Sequence, residues 1–177
     1  MMGKVLTIAG SPSSSSRSSS ILEISRNFLE QQSIDVSCLS VKDIPPEDLV
    51  FANFESEALK RAQAMIEQAQ AIIIGTPVYK ASYTGVLKAL LDLMPQYAFS
   101  GKTILPIATG GTITHLLSID YAMKPLFSVL GATNILRGVF ILDSQMQRDA
   151  ESSLTLDSEI EVRLKESLLE LASSLSS

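Results

Sequence analysis

The sequence predicts an open α/β fold, a parallel five-stranded sheet with helices on both faces. Three observations carry that expectation. Short apolar runs rich in β-formers alternate five times with longer segments of helical period. One run, Ala71-Ile72-Ile73-Ile74-Gly75, is apolar without interruption, as a strand covered on both faces requires. Strand and helix in regular alternation call for right-handed crossovers, which leave few topologies other than a parallel sheet.

The elements follow in order. Val5 to Ala9 reads as the first strand, ended by Gly10-Ser11-Pro12. A first helix spans roughly Ser18 to Gln32, with Ile21, Leu22, Ile24, Phe28 and Leu29 on one side. Val36 to Leu39 is the second strand. It holds Cys38, read as a buried small hydrophobe. Residues 41 to 56 carry Pro45-Pro46 and read as a crossing loop. A second helix from about Glu57 to Gln68 is marked by Leu59, Ala62, Met65, Ile66 and Ala69 at helical spacing. Ala71 to Gly75 follows as the third strand. A third helix spans about Tyr83 to Leu93, where Lys88 and Asp92 make a solvated i, i+4 pair. Thr103 to Ala108 is the fourth strand. Pro106 lies inside it, where an interior strand disfavours proline, so a bulge or an unneeded N–H is expected there. A fourth helix runs from about Thr114 to Leu130, Ile135 to Leu142 is the fifth strand, and a last helix spans about Leu154 to Leu175. The serine-rich end, Ser173 to Ser177, is expected to fray.

Bulk properties exclude several function classes. The 177 residues suit one domain over the whole chain, and 46% hydrophobic against 19% charged residues argues against disorder. A net charge of −5 and a pI near 4.9 argue against nucleic acid or an anionic membrane as partner. One cysteine permits neither a disulfide framework nor a multi-Cys metal site, and one histidine without clustered carboxylates argues against a metal site. No apolar run approaches the ~20 residues that span a bilayer, and the N-terminus lacks a signal-peptide pattern. A cytoplasmic location is the expectation.

In such a sheet, ligands bind beyond the carboxyl ends of the strands, so the loops after strands one, three and four belong together. The first, Gly10 to Ser20, brings serines and Arg17 to a helix N-terminus, where free N–H groups and the dipole favour a phosphate. It has neither the Gly-Lys-Ser/Thr ending of a triphosphate loop nor Gly-x-Gly-x-x-Gly. It reads either as a cradle for a cofactor monophosphate or as a turn with a helix cap. The second, Gly75 to Gly85, is stiffened by Pro77 and offers the flat faces of Tyr79 and Tyr83. It reads as a border for an aromatic ring system or as a turn with packed tyrosines. The third holds Gly110-Gly111, which lets backbone come close to a ligand, and His115, a ligand contact or a polar residue at a helix start.

These motifs together resemble the NADPH-dependent FMN reductases. The likeness rests on Ala9-Gly10-Ser11-Pro12 with Ser16-Arg17-Ser18-Ser19-Ser20, on the stretch Thr76 to Asp92, and on Ala108-Thr109-Gly110-Gly111-Thr112. The stretch His115 to Pro125 is similar to the SsuE type, which supplies reduced FMN to an alkanesulfonate monooxygenase. The resemblance covers about residues 4 to 145. It implies a flavodoxin-like three-layer sandwich of strand order 2-1-3-4-5, with FMN and NADPH as cofactors. It further implies that Ser11, Ser16, Arg17, Ser18 and Ser19 hold the FMN phosphate. Pro77, Val78, Tyr79 and Lys80 border the ring, and Thr109, Gly110, Gly111 and Thr112 line its other edge. No side chain need act as acid, base or nucleophile. A partner FMNH2-dependent monooxygenase and a homotetramer, or a dimer, are also implied. A quinone or azo reductase that retains FMN, and a flavodoxin-like electron carrier, are the alternatives.

Pro125 adds a local argument. It has no N–H, so the carbonyl of Tyr121 loses its helical partner, and a kink or a π-bulge is expected. In SsuE-type enzymes a tyrosine on this helix forms such a bulge at the subunit interface near the flavin, and Tyr121 matches it. The other reading of Tyr121 is a buried tyrosine beside a proline kink.

Overall fold

The computed structural model describes residues 3–148 and 154–175. The strands Lys4–Ala9 (β1), Asp35–Ser40 (β2), Ala71–Pro77 (β3) and Thr103–Gly110 (β4) are parallel neighbours. Beyond β4 lie Asn134–Ile135 (β5) and Val139–Leu142 (β6), both parallel to it. The spatial order is therefore 2-1-3-4-5, as expected, with the fifth position shared by two short strands.

Side-chain alternation divides the core into two layers. Leu6, Ile8, Ile72, Ile74 and Ile104 face one way, onto Glu57–Gln68 (α3), Gly85–Asp92 (α4) and Lys124–Val129 (α5). Val5, Ile73, Leu105, Ile107 and Ile141 face the other way, onto Arg17–Gln31 (α1) and Ser158–Ser174 (α6). The unbroken Ile72-Ile73-Ile74 run feeds both layers in turn, which is why it carries no polar residue. Ser16, Ser56 and Thr84 cap α1, α3 and α4 by accepting a backbone N–H. Lys88 and Asp92 form the expected exposed pair at 2.6 Å.

Four expectations are corrected. The crossing loop contains a short helix, Pro46–Val50, started by proline at its first position; being α2 in chain order, it buries Leu49. The last helix begins at Ser158, because Leu154–Leu156 pairs antiparallel with Met146–Arg148 as a small hairpin (β8 with β7). Helix four does not start as one helix at Thr114: a separate turn lies at Ile113–His115, followed by the expected π-helical irregularity at Ile119–Met123 and then α5. Cys38 is exposed, since β2 is the edge strand and buries Leu39 but not the cysteine. The expected fraying falls partly on Ser176 and Ser177, outside the described residues; α6 itself runs to Ser174.

The fifth strand is interrupted for a reason that Pro106 makes plain. The carbonyl of Ile104 accepts from Leu136 N at 2.9 Å, so even-numbered residues of β4 point their backbone groups toward the fifth strand. Pro106 shares that direction and has no N–H to give. Opposite it the chain leaves the ladder between Ile135 and Val139. Gly138 turns there at φ +88°, against the proline carbonyl and ring. The proline thus sits where its N–H is not needed.

Candidate functional site

The carboxyl ends of β1, β3, β4 and β6 open into one cleft of about 220 Å³. The first loop contributes Ser11, Ser16 and Arg17, the second Pro77, Val78 and Tyr79, and the third Thr109, Gly110 and Gly111. Three segments far apart in the chain therefore meet at one place. Asp143 joins them from the turn Asp143–Gln145 after β6.

The first loop is shaped by its own hydroxyls. Ser11 Oγ accepts from Ser13 N at 3.2 Å, and Ser16 Oγ accepts from Ser19 N at 3.4 Å as the α1 cap. Ser16 and Ser18 hydroxyls lie 2.8 Å apart. The N–H of Arg17 occupies the first helical position and has no intrahelical acceptor, so it can meet an anion, whereas Ser18 is fully buried. Arg148 clamps the loop from behind, donating to Ser15 O at 3.3 Å and Ser20 Oγ at 3.1 Å.

The second loop is a two-residue hairpin. Tyr79 N donates to Ser82 O at 2.8 Å and Ser82 N to Tyr79 O at 3.2 Å, with Lys80 at φ +49° and Ala81 at φ +67° between them. Positive φ at both central positions defines a primed turn, normally built from Asn-Gly, and each non-glycine residue there costs about 1–3 kcal/mol. The turn survives because its base is latched. Thr76 Oγ1 donates to Pro77 O at 2.9 Å and accepts from Thr84 N at 3.2 Å. Thr84 Oγ1 donates to the Gly10 carbonyl and accepts from Leu87 N at 3.2 Å. Val78 N donates to Thr109 O at 2.8 Å, extending the β3–β4 ladder into the site.

At the third loop, a Cβ added to Gly111 would have only Asp143 Oδ2 near it, at 3.8 Å, so the backbone there is open to a neighbour. Asp143 Oδ2 lies 3.5 Å from Arg17 Nη1.

Some residues singled out from the sequence lie outside the cleft wall. The Ser18 hydroxyl is buried against Ser16. Ser19 lines a separate cavity beside Arg26 and Cys38. Lys80 is exposed at the hairpin tip, and Thr112 is exposed, accepting from Thr114 N to open the next turn. His115 closes that turn. Tyr121 stands at the centre of the π-helical segment, 79% exposed, which removes the buried-tyrosine reading. The bond that defines the segment runs from Lys124 N to Ile119 O, five residues back, just before Pro125.

Asp143, Arg148, Thr76 and Thr84 were not singled out from the sequence. Thr84 carries a legible signal, as a cap residue just before an apolar helix. Asp143 and Arg148 carry none, because only the return of the chain past β4 brings them to the first loop.

Comparisons with known proteins agree on the kind of protein this resembles. The profile of the family described as NADPH-dependent FMN reductase matches residues 3–147. The chain is 51% identical over 143 residues to FMN reductase (NADPH) of Escherichia coli (strain K12), covering 81% of this chain and 75% of that one. It is 46% identical over 165 residues to FMN reductase (NADPH) of Pseudomonas putida (strain KT2440), covering 93% and 84%. Among solved structures, the apo form of NADH:FMN oxidoreductase (EMOB) superposes with a TM-score of 0.88 at 31% identity, covering 99% of this chain and 91% of that one.

Proposed function

The chain belongs to the NADPH-dependent FMN reductase family, and from that premise we propose that FMN visits the serine-rich cleft as a transient guest and leaves reduced, for a partner FMNH2-dependent monooxygenase. The enzyme is an oxidoreductase that works with FMN and NADPH. The observation that supports the cleft as the flavin site is the meeting of three separate loops at the carboxyl ends of β1, β3 and β4. Their chemistry fits FMN in parts. Ser11, Ser16, Arg17 and the first N–H of α1 suit the phosphate. Pro77, Val78 and Tyr79 on one side, with Thr109, Gly110 and Gly111 on the other, suit a flat ring and its polar edge. Ser18 holds the Ser16 hydroxyl at 2.8 Å from behind the wall, while Ser19, Lys80 and Thr112 do not line it.

FMN supplies the hydride-accepting centre when bound. The chain's own work is binding and orientation. Arg17 gives the phosphate a fixed charge. The latched hairpin holds Tyr79 at a set height, and the exposed backbone at Gly111 admits close approach. Nothing in this scheme needs a side-chain acid or base.

Arg17→Gln is expected to raise the FMN KM about thirtyfold and leave the riboflavin KM unchanged. A charge-assisted hydrogen bond contributes about 1.5–3 kcal/mol, and riboflavin has no phosphate to lose it. Equal effects on both flavins, followed through nicotinamide absorbance, would remove the phosphate cradle from this loop. The same assay with NADPH and NADH sets the nicotinamide preference.

Two finer readings belong here. The alkanesulfonate type of monooxygenase is the proposed partner, from the likeness of His115 to Pro125 to the SsuE type. A homotetramer, or a dimer, is proposed to form over the π-helical segment, where Leu116, Leu117 and Tyr121 are exposed together. Tyr121→Ala is expected to slow turnover and to leave the purified protein yellow with retained flavin. A colourless variant with wild-type turnover would exclude Tyr121 from flavin transfer.

A further inference from the structure

Arg17 is the one cation lining the cleft among the described residues, and Asp143 is the one anion. They face each other at 3.5 Å, with side chains 48% and 43% exposed. Asp143 is not on a swinging end. Its turn is closed by Gln145 Oε1, which accepts from Leu142 N at 2.9 Å, and by Met146 N, which donates to the Asp143 carbonyl. The same carboxylate oxygen is the nearest atom to a Cβ added at Gly111, at 3.8 Å. An ion pair this exposed contributes little to the stability of a fold. Its effect on an anionic guest is larger. A phosphate dianion that takes Arg17 must break the pair, and it then lies beside a second negative charge in a partly desolvated cleft.

We propose that Asp143 is an affinity-lowering residue, a built-in competitor for Arg17 that weakens the hold on the FMN phosphate and so favours flavin release. The inference rests on the reading that this cleft takes the phosphate end of FMN. It adds a residue that opposes binding to a set whose other members promote it. It also makes the weakening specific to phosphorylated flavin, since riboflavin presents nothing that competes for Arg17.

The test is a flavin-fluorescence titration of wild type, Asp143→Asn and Arg17→Gln with FMN and with riboflavin, at low ionic strength. Asp143→Asn is expected to tighten FMN about tenfold, or about 1.4 kcal/mol, and to leave riboflavin unchanged. Asp143→Ser, which also removes the charge, is expected to give the same gain, and added salt to shrink it. Unchanged or weaker FMN binding in both Asp143 variants overturns the proposal. If Arg17→Gln weakens FMN while the Asp143 variants do not tighten it, the phosphate reading stands and the competitor falls. If Arg17→Gln leaves FMN binding at the wild-type level, the phosphate reading falls and takes the competitor with it.

Discussion

Thr84→Val is expected to lower stability by about 3 kcal/mol and to weaken FMN binding with it. Thr84 is 1% exposed, and its hydroxyl serves two partners, donating to the Gly10 carbonyl and accepting from Leu87 N. Valine keeps the shape and removes both bonds. Loss of the helix cap costs about 1 kcal/mol. Stranding the buried Gly10 carbonyl costs about 1–3 kcal/mol more. The effect on binding has a separate cause. Gly10 opens the serine-rich loop and Thr84 closes the Pro77–Tyr83 loop, so one hydroxyl sets the distance between the two. Without it the strained turn at Lys80-Ala81 loses part of what holds it. Thr84→Ser, which keeps the oxygen, is expected to recover most of both losses. Urea unfolding with a parallel FMN titration checks this. A valine variant within about 0.5 kcal/mol of wild type, the range of ordinary surface changes, would show that the latch is not needed.

Gly138→Ala is expected to cost a similar amount, about 3 kcal/mol, through strain and overlap. At φ +88° an alanine is disfavoured by about 1–2 kcal/mol. Its Cβ would also stand 2.8 Å from the Pro106 carbonyl oxygen, which is backbone of the central sheet and cannot step aside cheaply. Gly101→Ala separates the two terms. Gly101 has φ +71° but nothing within 4 Å of an added Cβ, so only the conformational part, about 1 kcal/mol, is expected there. Chemical denaturation of both variants gives the comparison. Equal losses at the two positions would mean that the contact with Pro106 contributes nothing.

The fold was legible where one period dominated. The Ile72-Ile73-Ile74 run and the Leu59, Ala62, Ile66 spacing named their elements almost to the residue, since β3 is buried on both faces and α3 buries one stripe at helical spacing. Legibility failed where a neighbour decided. Cys38 looks buried by its alternating context, yet among the described residues β2 is the edge strand and only Leu39 on it is buried. Ile135 to Leu142 looks like one strand, yet the partner residue opposite its middle is a proline. Leu154 looks helical, yet it finds a ladder with Arg148 first. Pro125 did announce an irregular helix, because a missing N–H is a property of the residue itself.

The candidate site divides the same way. Serines and Arg17 before a helix, a proline–tyrosine loop, and paired glycines after a strand are local signals, readable because capping, ring stiffness and the absence of a Cβ are properties of single residues. The alternation of strands and helices further determined that these loops would share one edge of the sheet. Only the tertiary structure decided which charge meets Arg17. Asp143 is 126 residues away in number (143 − 17), and the return of β6 along β4 puts it at 3.5 Å. No local pattern encodes that meeting, because sheet order and strand length set it. The sequence by itself therefore determined which residues its loops carry to the cleft, and the packing of β6 decided which charge faces Arg17 there.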